Sequence, residues 1–575
     1  MRKLFCEFKD FLFSSQETVF SAAGIIIFTI ILSKILGLFR NNILLQVFTA
    51  DEISLFFAAF RLPDTLFEIL VFGTFSSSFI PVFSKAVKKD RNRAWNIAST
   101  VMNLGVAAII FIGIFIMIFA DNIYKFVAPG YDDVQRQIII EQTRILLVAQ
   151  IFFVASYVLT GILESLKKFL IPALAPVFYN LGIILITYFF GQDYGLIASS
   201  CGALFGAMIH FAIQLPLAIS LGFRIRFNIC FDEDVKKIGK LAIPRLLEII
   251  FIQASKMIEL FLASIISVSS YAHFYLANTL QSIPVSLFGL SIAKAALPVL
   301  SDFSDDLFKF RRAVNQLLVH SIFMVLPFVV MIIVLRVPIV RIVYGRELFD
   351  WQSTYQTSLV LSAFAMGILA QVGIALLSRA FYALHDTKTP VIVAIFTICG
   401  IIFVNFFLIK ILGVGIWGLA ASYSFCITFQ FIILYFFLFE KIGGIKFSDI
   451  IPILRLLIAG VFSGVVMFFL LKFFDKSVWI KKMSFLGKIE IAQNIPFEIF
   501  VLDTRYANSL LVLTFLVGLF GIIFYLLFCF LVGSREVVSF FYYLKQIFRN
   551  DKKKNSSSNN TNVVSVSSNE TTISI

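Results

Sequence analysis

Apolar runs near twenty residues recur along the chain from Phe20 to Leu531, each closed by a short polar or charged segment. Runs of that length cross the hydrocarbon core of a bilayer as helices. The pattern predicts about fourteen such spans. They fall at 19–48, 53–83, 97–127, 137–166, 170–192, 195–221, 236–266, 270–300, 315–345, 354–384, 388–412, 415–438, 450–474 and 508–534. Several exceed the bilayer thickness, so tilt or extension beyond the membrane is expected. The runs do not alternate apolar with polar residues, which excludes an outer-membrane barrel. The fold class expected is an all-α polytopic membrane protein.

Composition agrees. Hydrophobic residues make up 59% of the 575 residues and charged residues only 14%, against roughly 25% charged in ordinary soluble domains. That little polar surface cannot cover a protein of this size in water, so a soluble enzyme, a secreted protein and a disordered chain are excluded. The net charge of +14 comes from bases in short loops. One set of loops holds Lys85, Lys88, Lys89, Arg91 and Arg93, then Lys167 and Lys168, then Arg224, Arg226, Lys236, Lys237 and Lys240, then Lys309, Arg311 and Arg312. The alternate loops Gly191–Tyr194 and Ser267–His273 hold no Lys or Arg. The positive-inside rule puts the basic set and both termini on the cytoplasmic side of an inner membrane. The charge therefore reports topology, and no nucleic-acid partner is expected. The loop Asp475–Asn508, with Lys476, Lys481, Lys482 and Lys488, runs against the pattern; long external loops obey it less well. Arg2, Lys3 and Lys9 precede an apolar stretch with no small-residue cleavage site after it, so this is read as an uncleaved first span. The six cysteines form no C-x-x-C pair and read as packing residues.

The pattern also repeats. Ile80–Ser84 (IPVFS) returns as Leu297–Ser301 (LPVLS), an offset of 217 residues. Pro172 and Gly182-Ile183-Ile184 return 218 residues later as Pro390 and Gly400-Ile401-Ile402, and the GLIAS at Gly195 is echoed by GLAAS at Gly418. Two six-helix lobes follow, related by a pseudo-two-fold axis along the membrane normal, because an even number of spans per half makes a parallel repeat. The expected units are an N-lobe over 1–221, a C-lobe over 222–445, two extra C-terminal helices with an external loop over 446–548, and a disordered polar tail over 549–575.

No catalytic constellation is present: H-E-x-x-H, G-x-S-x-G, a P-loop and a dinucleotide fingerprint are all missing, and the four histidines are far apart. No enzyme activity, metal or cofactor is expected. Energy should come from an ion gradient, the membrane potential or a partner. Charges inside spans are then the informative residues, since each is costly in hydrocarbon and normally faces a bundle interior or wet cavity. Ser33, Gly37 and Arg40 share one face of span one, with Lys34 beside them. Arg61 precedes Pro63 in span two, which also carries Glu68; span seven carries Lys256 and Glu259, and span eight Lys294. The functional reading is a cationic cavity between the lobes, suited to a phosphate. Blander readings stand beside it: Lys294 and Arg40 snorkel to an interface, and Lys256 and Glu259 neutralise each other.

The runs SKILGLFR (Ser33–Arg40), FFAAFRLPDTL (Phe56–Leu66) and FGTFSSSFIPVFS (Phe72–Ser84) resemble the opening of the lipid II flippase family, MurJ, also called MviN. APGY at Ala128–Tyr131, PALAP with Asn180, QLP at Gln214–Pro216, LPVLS and FYALHDTKTPV at Phe381–Val391 continue the resemblance in order. It implies transport of lipid-linked peptidoglycan precursor from the inner to the outer leaflet by alternating access, in the superfamily of two-lobed multidrug and polysaccharide exporters. It implies lipid II and membrane lipids as partners, contact with cell-wall synthesis machinery, and a monomer. The substrate-binding residues expected are Lys34, Arg40, Arg61, Ser33, Gly37 and Lys256. Glu259 and Asn405 are candidates for a coupling cation, Na+ or H+. Phe67, Thr279 and Ser54 stand where the family has charged residues. The alternatives are an exporter of another lipid-linked glycan or of drugs, an intramembrane lipid-modifying enzyme, for which no paired base and nucleophile is found, and a non-transporting scaffold.

Overall fold

The computed structural model describes residues 19–72, 79–224, 226–227, 232–475, 506–534 and 536–538. The basic N-terminal segment, most of the 475–508 loop and the polar tail lie outside these residues. Nineteen helices are described. The first lobe comprises α1 (Val19–Val47), α2 (Ala50–Phe67), α3 (Ile80–Lys89), α4 (Arg91–Val127), α5 (Asp133–Ser165), α6 (Leu170–Tyr194), α7 (Leu196–Ala212) and α8 (Leu215–Ser220). The second comprises α9 (Glu233–Ile266), α10 (Ser270–Pro284), α11 (Ser291–Asp302), α12 (Leu307–Val334), α13 (Arg336–Tyr344), α14 (Trp351–Ala365), α15 (Ile368–Ala383), α16 (Lys388–Phe406) and α17 (Trp417–Lys441). The final pair is α18 (Phe447–Phe474) and α19 (Ala507–Leu531).

Local sequence sets many of the helix starts. Thr49 and Glu52 form a reciprocal capping box at α2, and Asp132 and Gln135 do the same at α5. Asp90 and Asp350 accept N–H bonds from the first turns of α4 and α14. Thirteen helical stretches among the described residues are long and apolar enough to cross a membrane. The remaining expected span, 53–83, contains α2, a π-helical turn at Glu68–Phe72 and the start of α3 at Ile80, with 73–78 outside the described residues. Spans nine and ten are each built from two helices rather than one, meeting at Leu335 and at Met366–Gly367. At the second break a Cβ on Gly367 would lie 2.8 Å from Ser424 Oγ, so only glycine permits that approach.

The repeat is visible in the packing. In the first lobe α1 packs on α6, α2 on α5, α5 on α7 and α6 on α7. In the second lobe α9 packs on α16, α10 on α14, α14 and α15 on α17, and α16 on α17. A second π-helical turn, Val285–Leu290, closes α10; it begins 217 residues after the one that closes α2, the same offset as the sequence repeat. The final pair packs on α12 and α13 and on itself, through an apolar cluster containing Leu326, Leu456, Ala459 and Tyr525. Large apolar side chains face outward, Phe111 at 78% exposure and Phe515 at 69% among them, as a lipid-facing surface requires.

The two lobes meet along α1, α2 and α4 on one side and α9, α10 and α13 on the other. At the end away from the basic loops they are closed by one continuous apolar cluster, which includes Ile53, Phe56 and Phe57 from the first lobe and Tyr271, Phe274, Leu276 and Tyr344 from the second. Phe57 and Tyr275 stack with ring centroids 4.0 Å apart. Gly130 N–H donates to Ser264 Oγ at 3.2 Å, and a Cβ on Gly130 would fall 2.0 Å from the Ser264 carbonyl oxygen. Asn42 donates to the Val343 carbonyl at 2.6 Å and accepts from Arg346 Nη2 at 2.6 Å.

Candidate functional site

Below this closure the seam turns polar. Arg61, one turn below the Phe57 stack on α2, donates from Nη2 to Gln253 Oε1 on α9 at 2.9 Å. Thr65 Oγ1 reaches the same oxygen at 3.4 Å. Lys256, one turn along α9 from Gln253, donates to both Glu68 carboxylate oxygens, at 3.2 and 3.0 Å. Gln253 Nε2 also donates to Glu68. On α1, Lys34 Nζ donates across the seam to Ser282 Oγ on α10 at 3.3 Å. Three of the cations expected from sequence are thus bonded from one lobe to the other.

Arg40 behaves differently. It donates from Nε and Nη2 to Asn41 Oδ1 at 3.2 and 3.0 Å. It also lines a cavity of about 250 Å³ with Asp64, Gln150, His210 and an aromatic wall that includes Phe67, Tyr157, Tyr179 and Tyr275. Asp64 lies in the electrostatic field of Arg61, Glu68, Lys256 and Arg40. Ser33 is half-buried, and nothing lies within 4 Å of where a Gly37 Cβ would stand, so Gly37 serves no close helix contact here.

The mutual neutralisation of Lys256 and Glu259 is not what the structure contains. Lys256 makes its ion pair with Glu68 of the other lobe. Glu259 is left in the field of Arg61 and Lys256 without a salt bridge among the described residues. The i, i+3 spacing puts the two on one helix face, but a carboxylate facing that side from α2 competes better for the ammonium. Asn405 is buried on α16, the helix packed on α9, and neither side-chain polar atom has a hydrogen-bond partner among the described residues. Lys294 is exposed on α11, in the field of Glu164 on α5. Among the described residues no three His, Cys, Asp or Glu side chains group as metal ligands.

The neutral residues at three positions charged in the resembling family have uncharged partners here. Phe67 packs edge-on against Tyr157 at 5.1 Å. Thr279 Oγ1 donates to the Tyr275 carbonyl at 2.9 Å. Ser54 Oγ and the Tyr131 hydroxyl lie 3.2 Å apart. Gln253, Asp64 and Glu68 are not among the site residues expected from the sequence. The Asp of Leu62-Pro63-Asp64 and the acid at Glu68 were readable as in-span charges; Gln253, being neutral, carried no such signal.

Two six-span lobes with a closed apolar end, a polar seam and two further spans outside the repeat define the two-lobed, all-helical membrane fold of the exporter class. A multidrug resistance MATE family transporter in an inward-facing conformation shares this fold at a TM-score of 0.60 with 16% identity, over 72% of this chain and 94% of that one. The family model "Lipid II flippase MurJ" matches residues 46–488, and the chain belongs to that family. Among relatives, a probable lipid II flippase MurJ of Bdellovibrio bacteriovorus is 26% identical over 74% of this chain and 84% of its own length. One of Borreliella burgdorferi is 26% identical over 83% and 94%, and one of Rickettsia prowazekii 28% identical over 66% and 76%. A solved structure described as lipid II flippase MurJ in an inward closed conformation has a TM-score of 0.69 with 22% identity, covering 88% of this chain and 98% of that chain. Family and helices together place the chain as a multi-pass protein of the bacterial inner membrane.

Proposed function

We propose that this protein moves lipid II from the inner to the outer leaflet of the cytoplasmic membrane by alternating access. The observation that carries the reading is the set of cations in the seam, Lys34, Arg61 and Lys256, each bonded from one lobe to the other. A pyrophosphate entering there finds a guanidinium fork and two ammonium groups in a space of low dielectric. The polyprenyl tail never needs to leave lipid, and the final helix pair, packed outside the repeat, offers it a flank. The cavity of about 250 Å³ holds no sugar-peptide head group, so loading requires the lobes to part on the side of the basic loops. By the charge rule that side, with both termini, is cytoplasmic.

Coupling to a cation fits Glu259 and Asn405. They sit on packed helices, and the Asn405 amide is buried without a partner among the described residues, an arrangement that costs free energy unless something visits it. A second reading, transport of a different lipid-linked glycan, draws on the neutral Phe67, Thr279 and Ser54. The deciding experiment is leaflet location of lipid II in cells depleted of this protein and lacking any other flippase, read by a periplasmic probe that cleaves only outward-facing precursor. Accumulated, protected precursor is the expected result. Precursor that stays cleavable sinks the lipid II reading and leaves the other glycan.

A further inference from the structure

Glu68 is an anion placed where a phosphate would be expected. It accepts both hydrogen bonds shown for Lys256 and the amide bond of Gln253, which in turn accepts from Arg61. The pair is not buried in packing: the Lys256 and Glu68 side chains are 34% and 31% exposed, so each is open to a competing partner. Beside them Arg61 Nε is buried with no acceptor among the described residues. The seam therefore has the Lys256 ammonium occupied by an internal carboxylate, and one buried Arg61 N–H without an acceptor among the described residues.

We propose, resting on the lipid II reading, that Glu68 is an internal counter-anion which the substrate diphosphate must displace. The diphosphate takes Lys256 and Gln253 from Glu68 and adds the unused Arg61 N–H. A diphosphate brings more charge and more acceptor oxygens than a carboxylate, so the exchange favours the ligand at these donors. Glu68 must then withdraw, because two anions on one ammonium repel. Glu68 is also the first residue of the π-helical turn that ends α2. The exchange breaks a bond between lobes at the moment the substrate binds, which links loading to lobe movement. It also sets specificity: a lipid whose head carries no phosphate cannot pay for losing the Glu68 pair.

The test is binding of lipid II to the full-length protein in lipid nanodiscs, for wild type, Glu68→Gln, Lys256→Gln and the double variant. Removal of the counter-anion should tighten binding roughly tenfold in Glu68→Gln, about 1.4 kcal/mol of lost competition. Lys256→Gln should bind most weakly, since it loses the cation and leaves Glu68 to repel the ligand. The double variant should bind more tightly than Lys256→Gln, and it keeps the test decisive should Glu68→Gln not fold. If neither Glu68→Gln improves on wild type nor the double variant on Lys256→Gln, Glu68 is only a strut and the proposal is overturned. Wild type that does not bind lipid II overturns the functional reading itself and this inference with it, a failure told apart by the wild-type measurement alone.

Discussion

The in-span charges among the described residues divide into roles by what they face. Arg61, Lys256 and Lys34 face the other lobe; Arg40 faces the cavity; Arg311 does neither. Arg311 is buried against Asp449 of α18 and donates to the Gly443 carbonyl at 3.1 Å, so it holds the final helix pair to the second lobe. Sequence reasoning grouped Arg311 with the basic loop, and only packing reveals its structural use. Glu259, on α9 beside Lys256, has no ion pair among the described residues, which is why its neutral variant is informative. With Glu259→Gln, flipping in proteoliposomes should lose its dependence on the coupling cation while lipid II binding is kept. Retained ion dependence would remove Glu259 from any cation site.

At the scale of elements, the DTKTPV stretch explains itself once folded. Its Asp386 accepts the N–H groups of Lys388 and Thr389, at 3.2 and 3.0 Å, and the Thr389 hydroxyl at 2.7 Å, capping α16. It also forms an ion pair with Lys441 at the far end of α17. His385, before it, has a φ of 58°, the left-handed turn that lets α15 end and α16 begin. Partial burial pushes the Asp386 carboxyl up, but Lys441 and Thr389 outweigh it and hold the group at about 2, below its ordinary 3.8. The folded value is the lower one, so the contribution to stability is complete above the ordinary value and is lost as pH falls from 3.8 toward 2. Thermal unfolding in detergent should therefore show Asp386→Asn less stable than wild type at pH 6, with the gap closing across that acid window. A gap that stays constant down to the bottom of the window would mean the carboxylate's charge contributes nothing.

For the whole molecule, the closed end is where alternating access is most exposed to test. The Phe57–Tyr275 stack, worth about 0.5–1.5 kcal/mol beyond its area, and the Gly130–Ser264 contact must both part if the substrate leaves on that side. The variant Phe57→Cys/Tyr275→Cys should lose flipping when oxidised and regain it on reduction. Undiminished flipping with the cross-link complete would mean that this end does not open. Gly130 belongs to the APGY stretch, so the residue that permits the lobes to approach was visible in the sequence, but the surface it approaches, 134 residues away on α9, was not.

The sequence by itself determined what depends on periodicity and composition. The apolar runs dictate membrane helices, because only a helix satisfies its own backbone in lipid. The 217-residue offset dictates two related lobes. In-span cations marked Lys34, Arg40, Arg61 and Lys256 for their cost in hydrocarbon. Tertiary structure alone decided who answers those charges. That Lys256 turns to Glu68 rather than Glu259, that neutral Gln253 joins Arg61 to the acid, and that Phe67, Thr279 and Ser54 are content without charge are all matters of which helix faces which. A helix repeats its side chains every 3.6 residues whatever surrounds it; the partner across the seam is set by how two such surfaces pack.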